Sequence, residues 1–186
     1  MPNWCSNTVE ITGKKKEIEK IKNAILEDKF LNYLYPMPVE LENTVADGSE
    51  NKSLISKTGY SDWYGWRTNN WCTKWEVDRD CGEPIIEDVD KDISILSWSF
   101  NSAWSPPTGA YEYYLDMNPN MKLFATYYEP AMDFMGVYDS GDERTYLISN
   151  YNSEDKFWKT REGSKLDELY GILEWMEESK AEESVA

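Results

Sequence analysis

The stretch "DISILSWSF" at 92–100 alternates, with Leu96, Trp98 and Phe100 on one face of an extended chain and Ile93 and Ile95 on the other. Apolar side chains on both faces predict a central strand covered on both sides, so the chain needs a sheet with layers packed against it. Upstream, "NTVEITG" also alternates and closes on Gly13, which predicts a short strand and a turn. From Lys14 the period changes, because Ile18, Ile21 and Ile25 recur three and four residues apart with Lys and Glu between them. That spacing predicts an amphipathic helix packed by one stripe. It should end near Leu31 to Leu34, before "YPMP", whose Pro36 and Pro38 disfavour helix.

The rest of the chain continues a mixed pattern without internal repeats. Residues 39–59 are polar, with the turn signals "ADG" and "KTG", and predict a loop or mobile insertion. "CTKWEVD" is expected to enter a strand, and "CGEPIIEDVDKD" reads as a turn-rich connection. In "NSAWSPPTGAYEYYLDMNPN", Ser105 is placed to cap a helix and Pro106 sits at a first-turn position. Tyr111, Tyr114 and Leu115 give that helix its apolar stripe, and Asn118-Pro119 stops it. "KLFATYYEP" and "DFMGVYD" read as strands interrupted at Pro130, and "SGD" turns the chain into "RTYLISN". A last helix is predicted from Ser164 to Met176, with Leu166, Leu169, Tyr170, Leu173 and Met176 as its stripe and an acidic tail that frays.

A chain of 186 residues, 40% of them hydrophobic and 15% aromatic, suits one domain with a substantial core. Its mean hydropathy of -0.71 reflects polar surface. No run approaches the roughly 20 apolar residues that span a bilayer, and the start "MPNWCSNTVEITG" lacks the regions of a signal peptide, so a soluble, cytoplasmic protein without a membrane partner is expected.

Chemistry is limited by what the chain lacks. With no histidine, Ser-His-Asp triads, Cys-His pairs and histidine zinc sites are excluded. Cys5, Cys72 and Cys81 are odd in number and show no CxxC spacing, so reduced thiols are expected, with neither a disulfide framework nor a metal. No glycine-rich phosphate cradle is present, and no cofactor is expected. Carboxylates remain as acids, bases or hard-metal ligands, and an enzyme using them with Mg²⁺ is a further option, but no paired-carboxylate motif stands out.

Net charge is -16, from 35 acidic against 19 basic residues, which opposes direct nucleic-acid binding. The same charge suits solubility or attraction to a basic surface on a partner protein, where it could imitate a nucleic-acid backbone. "GKKKEIEKIK" at 13–22 is a basic exception, read as the outer face of a helix.

Indole is concentrated in "SDWYGWRTNNWCTKWEV" at 61–77. Two readings are open: a platform on which a flat ligand or a partner stacks, or the core of a domain that needs large side chains. Asn69, Asn70 and Thr73 suit a packed corner, so Trp71 and Trp75 are read as structural. Trp104, before Ser105-Pro106-Pro107, braces a strand-to-helix turn. Trp63 and Trp66, beside Gly65 and the polar insertion, are the better candidates for exposed contact. The candidate binding residues are therefore Trp63, Tyr64, Trp66, Arg67, Lys74 and Trp104, with no catalytic or metal residues assigned. Trp158 and Trp175 belong to a C-terminal segment that either covers the sheet or offers a homodimer surface.

The order of elements suggests a ferredoxin-like split βαβ, an antiparallel α+β sheet with two helices on one face. A polar insertion follows the first helix, and an additional helix ends the chain. The expected division is a domain over 1–150, with 39–70 as a loop-rich insertion, and a helix over 151–186 packed on it. "PNWCSN", "YPMP", "NWCTKWEV", "FNSAWSPP" and "YYEPAMDFMG" resemble the successive motifs of the YubB-type ferredoxin-like proteins of phages and conjugative plasmids, across residues 2–138. The label describes topology and implies no iron-sulfur cluster. The family commonly has Gly where this chain has Cys72, which weighs against a ligand role for that thiol. It brings no established catalytic residues.

What the resemblance implies is the setting of a mobile element, whose accessory proteins often act on host proteins. The first expectation is a non-catalytic protein that binds a host protein, as an acidic inhibitor of a defence or nucleic-acid-processing system. The alternative is a protein that binds or sequesters a small nucleotide signal, with the aromatic stretch as its pocket and Arg67 and Lys74 on phosphate.

Overall fold

The computed structural model describes residues 3–77 and 80–183. It is an α+β fold built on one six-stranded antiparallel sheet. The strands are β1 (Trp4–Lys14), β2 (Ile85–Asp88), β3 (Ile93–Ala103), β4 (Lys122–Glu129), β5 (Phe134–Asp139) and β6 (Asp142–Leu147), in the order β2-β3-β1-β4-β5-β6. The helices are α1 (Lys15–Leu26), α2 (Phe30–Leu34), α3 (Lys52–Thr58), α4 (Trp63–Asn70), α5 (Thr108–Met117), α6 (Arg161–Tyr170) and α7 (Ile172–Glu183). Among the described residues no helix is long and apolar enough to cross a membrane.

Alternation along the strands sorts the two faces. Val9, Ile11, Leu96, Trp98, Phe100, Leu123 and Ala125 point to one side and share a buried cluster with Ile18, Ile21 and Ile25 of α1, Phe30 of α2 and Tyr111 of α5. Phe30 meets Trp98 and Phe100 edge-on, at centroid distances of 5.4 and 5.7 Å, arrangements that the ring quadrupoles favour. On the opposite face Met135 and Val137 of β5 form a second cluster with Trp158, Leu166 of α6, and Ile172 and Met176 of α7.

β3 is central as expected, but its two faces are not equally covered. Leu96, Trp98 and Phe100 are buried, whereas Ile93 and Ile95 are half-buried and Ser99 is exposed. The second layer lies over β4 and β5 instead, because α6 packs there. The first strand is longer than expected and runs through Gly13.

Several helix expectations need correction. The first helix stops at Leu26, and the chain turns through Asp28, with φ 56°, before α2 begins. The insertion is less loop-like than its composition suggested, since it carries α3, capped by Asn51, and a 3-10 turn at Val39–Leu41. Cys72–Trp75 forms bends, and Glu76 and Val77 belong to no strand, so the strand expected there is not formed; residue 78 lies outside the described residues. α5 starts at Thr108 without a side-chain cap, because the Ser105 hydroxyl donates to the Cys72 carbonyl instead. Helices α1, α2 and α5 line the first face, so more than two pack on it.

The C-terminal helix is two helices. Gly171 adopts φ 61° and donates its N–H to the Asp167 carbonyl, closing α6. Asp167 then accepts the N–H of Leu173 and helps to start α7. Glycine takes this left-handed conformation without a β-carbon penalty. Of the tail expected to fray, α7 runs through Glu183 and residues 184–186 lie outside the described residues.

Candidate functional site

The tryptophan-rich stretch is a helix followed by a tight corner. Asp62 caps α4 by accepting the Gly65 N–H at 2.8 Å, and Thr44 of the insertion accepts the Trp63 N–H at 2.9 Å. One turn of helix separates Trp63 from Trp66, so the two stand on the inner side while Tyr64 faces outward. Trp66 is only 4% exposed, and Trp71 is fully buried. Trp66 meets Tyr35 and Trp71 edge-on at 5.0 and 5.7 Å, and the Trp71 indole N–H donates to the Tyr35 carbonyl at 2.8 Å. The assignment of Trp66 as an exposed contact is therefore corrected, because helical geometry turns it into the core.

Beyond α4 the chain is pinned to the turn between β3 and α5. Thr73 Oγ1 donates to the Ala103 carbonyl at 2.9 Å, and the Trp104 N–H donates to the Asn3 carbonyl at 2.9 Å. A β-carbon on Gly109 would fall 2.4 Å from the Asn70 carbonyl oxygen and 3.0 Å from Cys72 Sγ, so α5 can approach only with glycine there. Cys72 has φ 66°, a conformation that suits glycine. Trp104 has φ 69°, uncommon for so bulky a residue.

This corner gathers Lys74 and the partly exposed rings. The Lys74 ammonium lies 4.4 Å from the Trp75 ring centroid, 5.2 Å from Trp104 and 5.6 Å from Tyr64. Trp75 in turn lies 6.1 Å from Trp4, which is 49% exposed at the start of β1. Trp63 touches Tyr64 edge-on at 5.8 Å. Of the candidates, Tyr64, Lys74 and Trp104 thus come together in one patch, and Trp63 flanks it.

Arg67 sits deeper, with its guanidinium carbon 4.7 Å from the Trp71 centroid and 5.3 Å from that of Trp63. Burial pulls its pKa below the ordinary value, while Glu76 and Glu42 oppose that shift. Its Nε is buried without a hydrogen-bond partner among the described residues. Neither Arg67 nor Lys74 forms a salt bridge among the described residues. Both cations rest on rings in a chain with almost twice as many acids as bases.

Glu76 ties the corner to the rest of the fold. Its carboxylate accepts the N–H groups of Leu31 at 2.7 Å, Asn32 at 2.9 Å and Val77 at 3.2 Å. The first two are among the unpaired donors of the first turn of α2. Burial raises the Glu76 pKa, and the three N–H bonds and Arg67 oppose the rise.

Sequence reasoning missed Trp4 and Trp75 as parts of the patch. Trp4 is remote in sequence and joins only because β1 pairs with β3, placing Trp4 opposite Ala103. It also missed a cleft of about 530 Å³ between the other sheet face and α6, lined by residues that include Glu10, Lys122, Phe124, Arg144, Arg161 and Lys165. Arg144 there is held by Asp142 at 2.5 Å and Glu162 at 3.0 Å, and Lys165 lies 3.8 Å from Glu10.

Thiol chemistry does not converge on either place. Cys5 is buried, and desolvation, with the Glu129 charge nearby, pushes its pKa up to about 12. Cys72 is half-buried, and Cys81 is exposed. Among the described residues no group of three or more Cys, Asp or Glu side chains could hold a metal ion.

No protein-family model matches this chain, and no curated protein does. Among solved structures it is similar to the crystal structure of a protein api92 from Yersinia pseudotuberculosis, described as DUF1281. The two are 12% identical with a TM-score of 0.42, over 79% of this chain and 98% of the other.

Proposed function

We propose that this chain is a non-catalytic recognition protein that engages a partner protein through the patch formed by Trp4, Tyr64, Lys74, Trp75 and Trp104. The observation that carries the reading is a division of labour among aromatic residues: Trp66 and Trp71 are sealed in the core. Tyr64 and Trp4, 36% and 49% exposed, instead present ring surface to solvent. Tryptophan and tyrosine fixed on a packed base are the residues that dominate interface energetics, because they bury large area at little entropic cost.

The finer architecture in this reading is ferredoxin-like. It is supported by the order β2-β3-β1-β4, with α1 leading from β1 toward β2 and α5 joining β3 to β4. The YubB-type resemblance supports a phage or plasmid origin and a host protein as partner, met in the host cytoplasm. The net charge of -16 supports a partner with a basic surface, of a defence or nucleic-acid-processing system, with nucleic-acid mimicry as one form of inhibition. Capture from a bacterial lysate tests this: a specific protein should be retained at low salt and released at high salt. No retained protein, or one whose retention ignores salt, contradicts it.

A second reading, sequestration of a nucleotide signal, is favoured by two cations, Arg67 and Lys74, that lie on rings and form no salt bridge among the described residues. Tryptophan fluorescence titrated with a panel of nucleotides separates the two, since only the second expects a saturable response.

A further inference from the structure

Lys74 places one ammonium against three rings, two from neighbouring segments, α4 and the corner after it, and one from the remote turn before α5. All three centroids fall within the roughly 6 Å over which a cation is drawn to a ring face. The box is built against local preference, since Trp104 at φ 69° and the corner residue Cys72 at φ 66° both adopt left-handed backbone. Residues kept in sparsely populated conformations need surrounding contacts to fix them, and such residues concentrate at ligand clamps. The fixing contacts here are Thr73 to Ala103, Ser105 to Cys72 and Trp104 to Asn3.

We propose that Tyr64, Trp75 and Trp104 form a receptor for a basic side chain, Lys or Arg, of the partner protein, and that Lys74 is a built-in occupant which the partner's cation replaces. This rests on the reading of the patch as a protein-docking surface and names what docks. Two observations favour a cation over an anion. Lys74 directs its charge into the rings, where the ring faces are negative, and the whole chain carries -16, a field that concentrates cations and repels phosphates. Displacing an internal lysine also makes binding selective, because only a cation restores what the box loses when Lys74 swings out.

The test uses tetramethylammonium chloride as the cation and inorganic phosphate as the anion, at constant ionic strength, with tryptophan fluorescence as the readout. Lys74→Ala empties the box and is expected to bind tetramethylammonium about tenfold more tightly than the unaltered protein. Adding Trp104→Gly, which accepts φ 69° without strain, should abolish that gain. Lys74→Gln carries the same expectation if the alanine variant loses its near-ultraviolet dichroism. Equal affinity with and without Lys74, or a response that survives loss of Trp104, overturns the proposal. Phosphate binding that disappears with Lys74 also overturns it, because the lysine would then be an anion contact. The titration needs no partner protein. A failed lysate capture therefore removes the docking surface and leaves the box standing, while a failed titration removes the box alone.

Discussion

Trp71→Ala is expected to lower the unfolding free energy by about 4 kcal/mol, a large share of the roughly 5–15 kcal/mol that holds a domain together. The side chain is fully buried among Trp66, Arg67 and Tyr35, so its removal leaves a cavity the size of an indole with little freedom to collapse. The Tyr35 carbonyl also loses its 2.8 Å donor. Tyr35 is itself stacked on Tyr113 of α5, at 3.6 Å between centroids, so the damage extends along that helix. A thermal melt should show Tm falling by roughly 10 °C. Trp71→Phe, which keeps an aromatic ring in the pocket but loses the N–H and part of the indole volume, should cost about 2 kcal/mol, well short of the alanine variant. If the two variants melt alike, volume is not what matters here and the packing account of Trp71 fails.

Glu76→Ala should cost about 3 kcal/mol, although the residue belongs to no helix or strand. Its carboxylate is the acceptor for the N–H groups of Leu31 and Asn32, which in so short a helix have few alternatives. α2 carries Phe30, the ring that closes on Trp98 and Phe100, so loss of the cap reaches the main core. Glu76→Gln keeps one acceptor but turns an NH₂ toward a backbone donor, and is expected to fall between the native protein and the alanine variant. Urea unfolding gives the free energy, and amide exchange locates it: Leu31 and Asn32 should exchange faster in both variants. Unchanged protection at those two amides would show that α2 does not depend on this carboxylate.

Much of the scaffold was legible in the sequence because strong periodicity and burial agree. Ile18, Ile21 and Ile25 are all buried on α1, and Leu96, Trp98 and Phe100 all point to the core from β3. α4 was not legible. Gly65, Asn69 and Asn70 are poor helix formers, and the helix is held by the Asp62 cap and by side-chain bonds from Thr68, Asn69 and Asn70 to carbonyls one turn back. Without the helix, Trp66 looked like a neighbour of the polar insertion. With it, Trp66 rotates inward and Tyr64 outward. Trp4 joins the patch only through the pairing of β1 with β3, a contact between residues about a hundred positions apart that no local pattern announces. The break at Gly171 carried a local signal, a glycine following an apolar helix end, but the continuing stripe of Leu173 and Met176 concealed it.

The central claim is that the tryptophan-rich segment has a base that folds and a rim that binds. Calorimetric titration of the captured partner against the native protein and the Tyr64→Ala/Trp104→Gly variant tests it most directly, with melts of both proteins recorded first. Tm is expected to shift by no more than a few degrees while affinity falls about 100-fold or more. An unchanged affinity in a variant that melts like the native protein would contradict it.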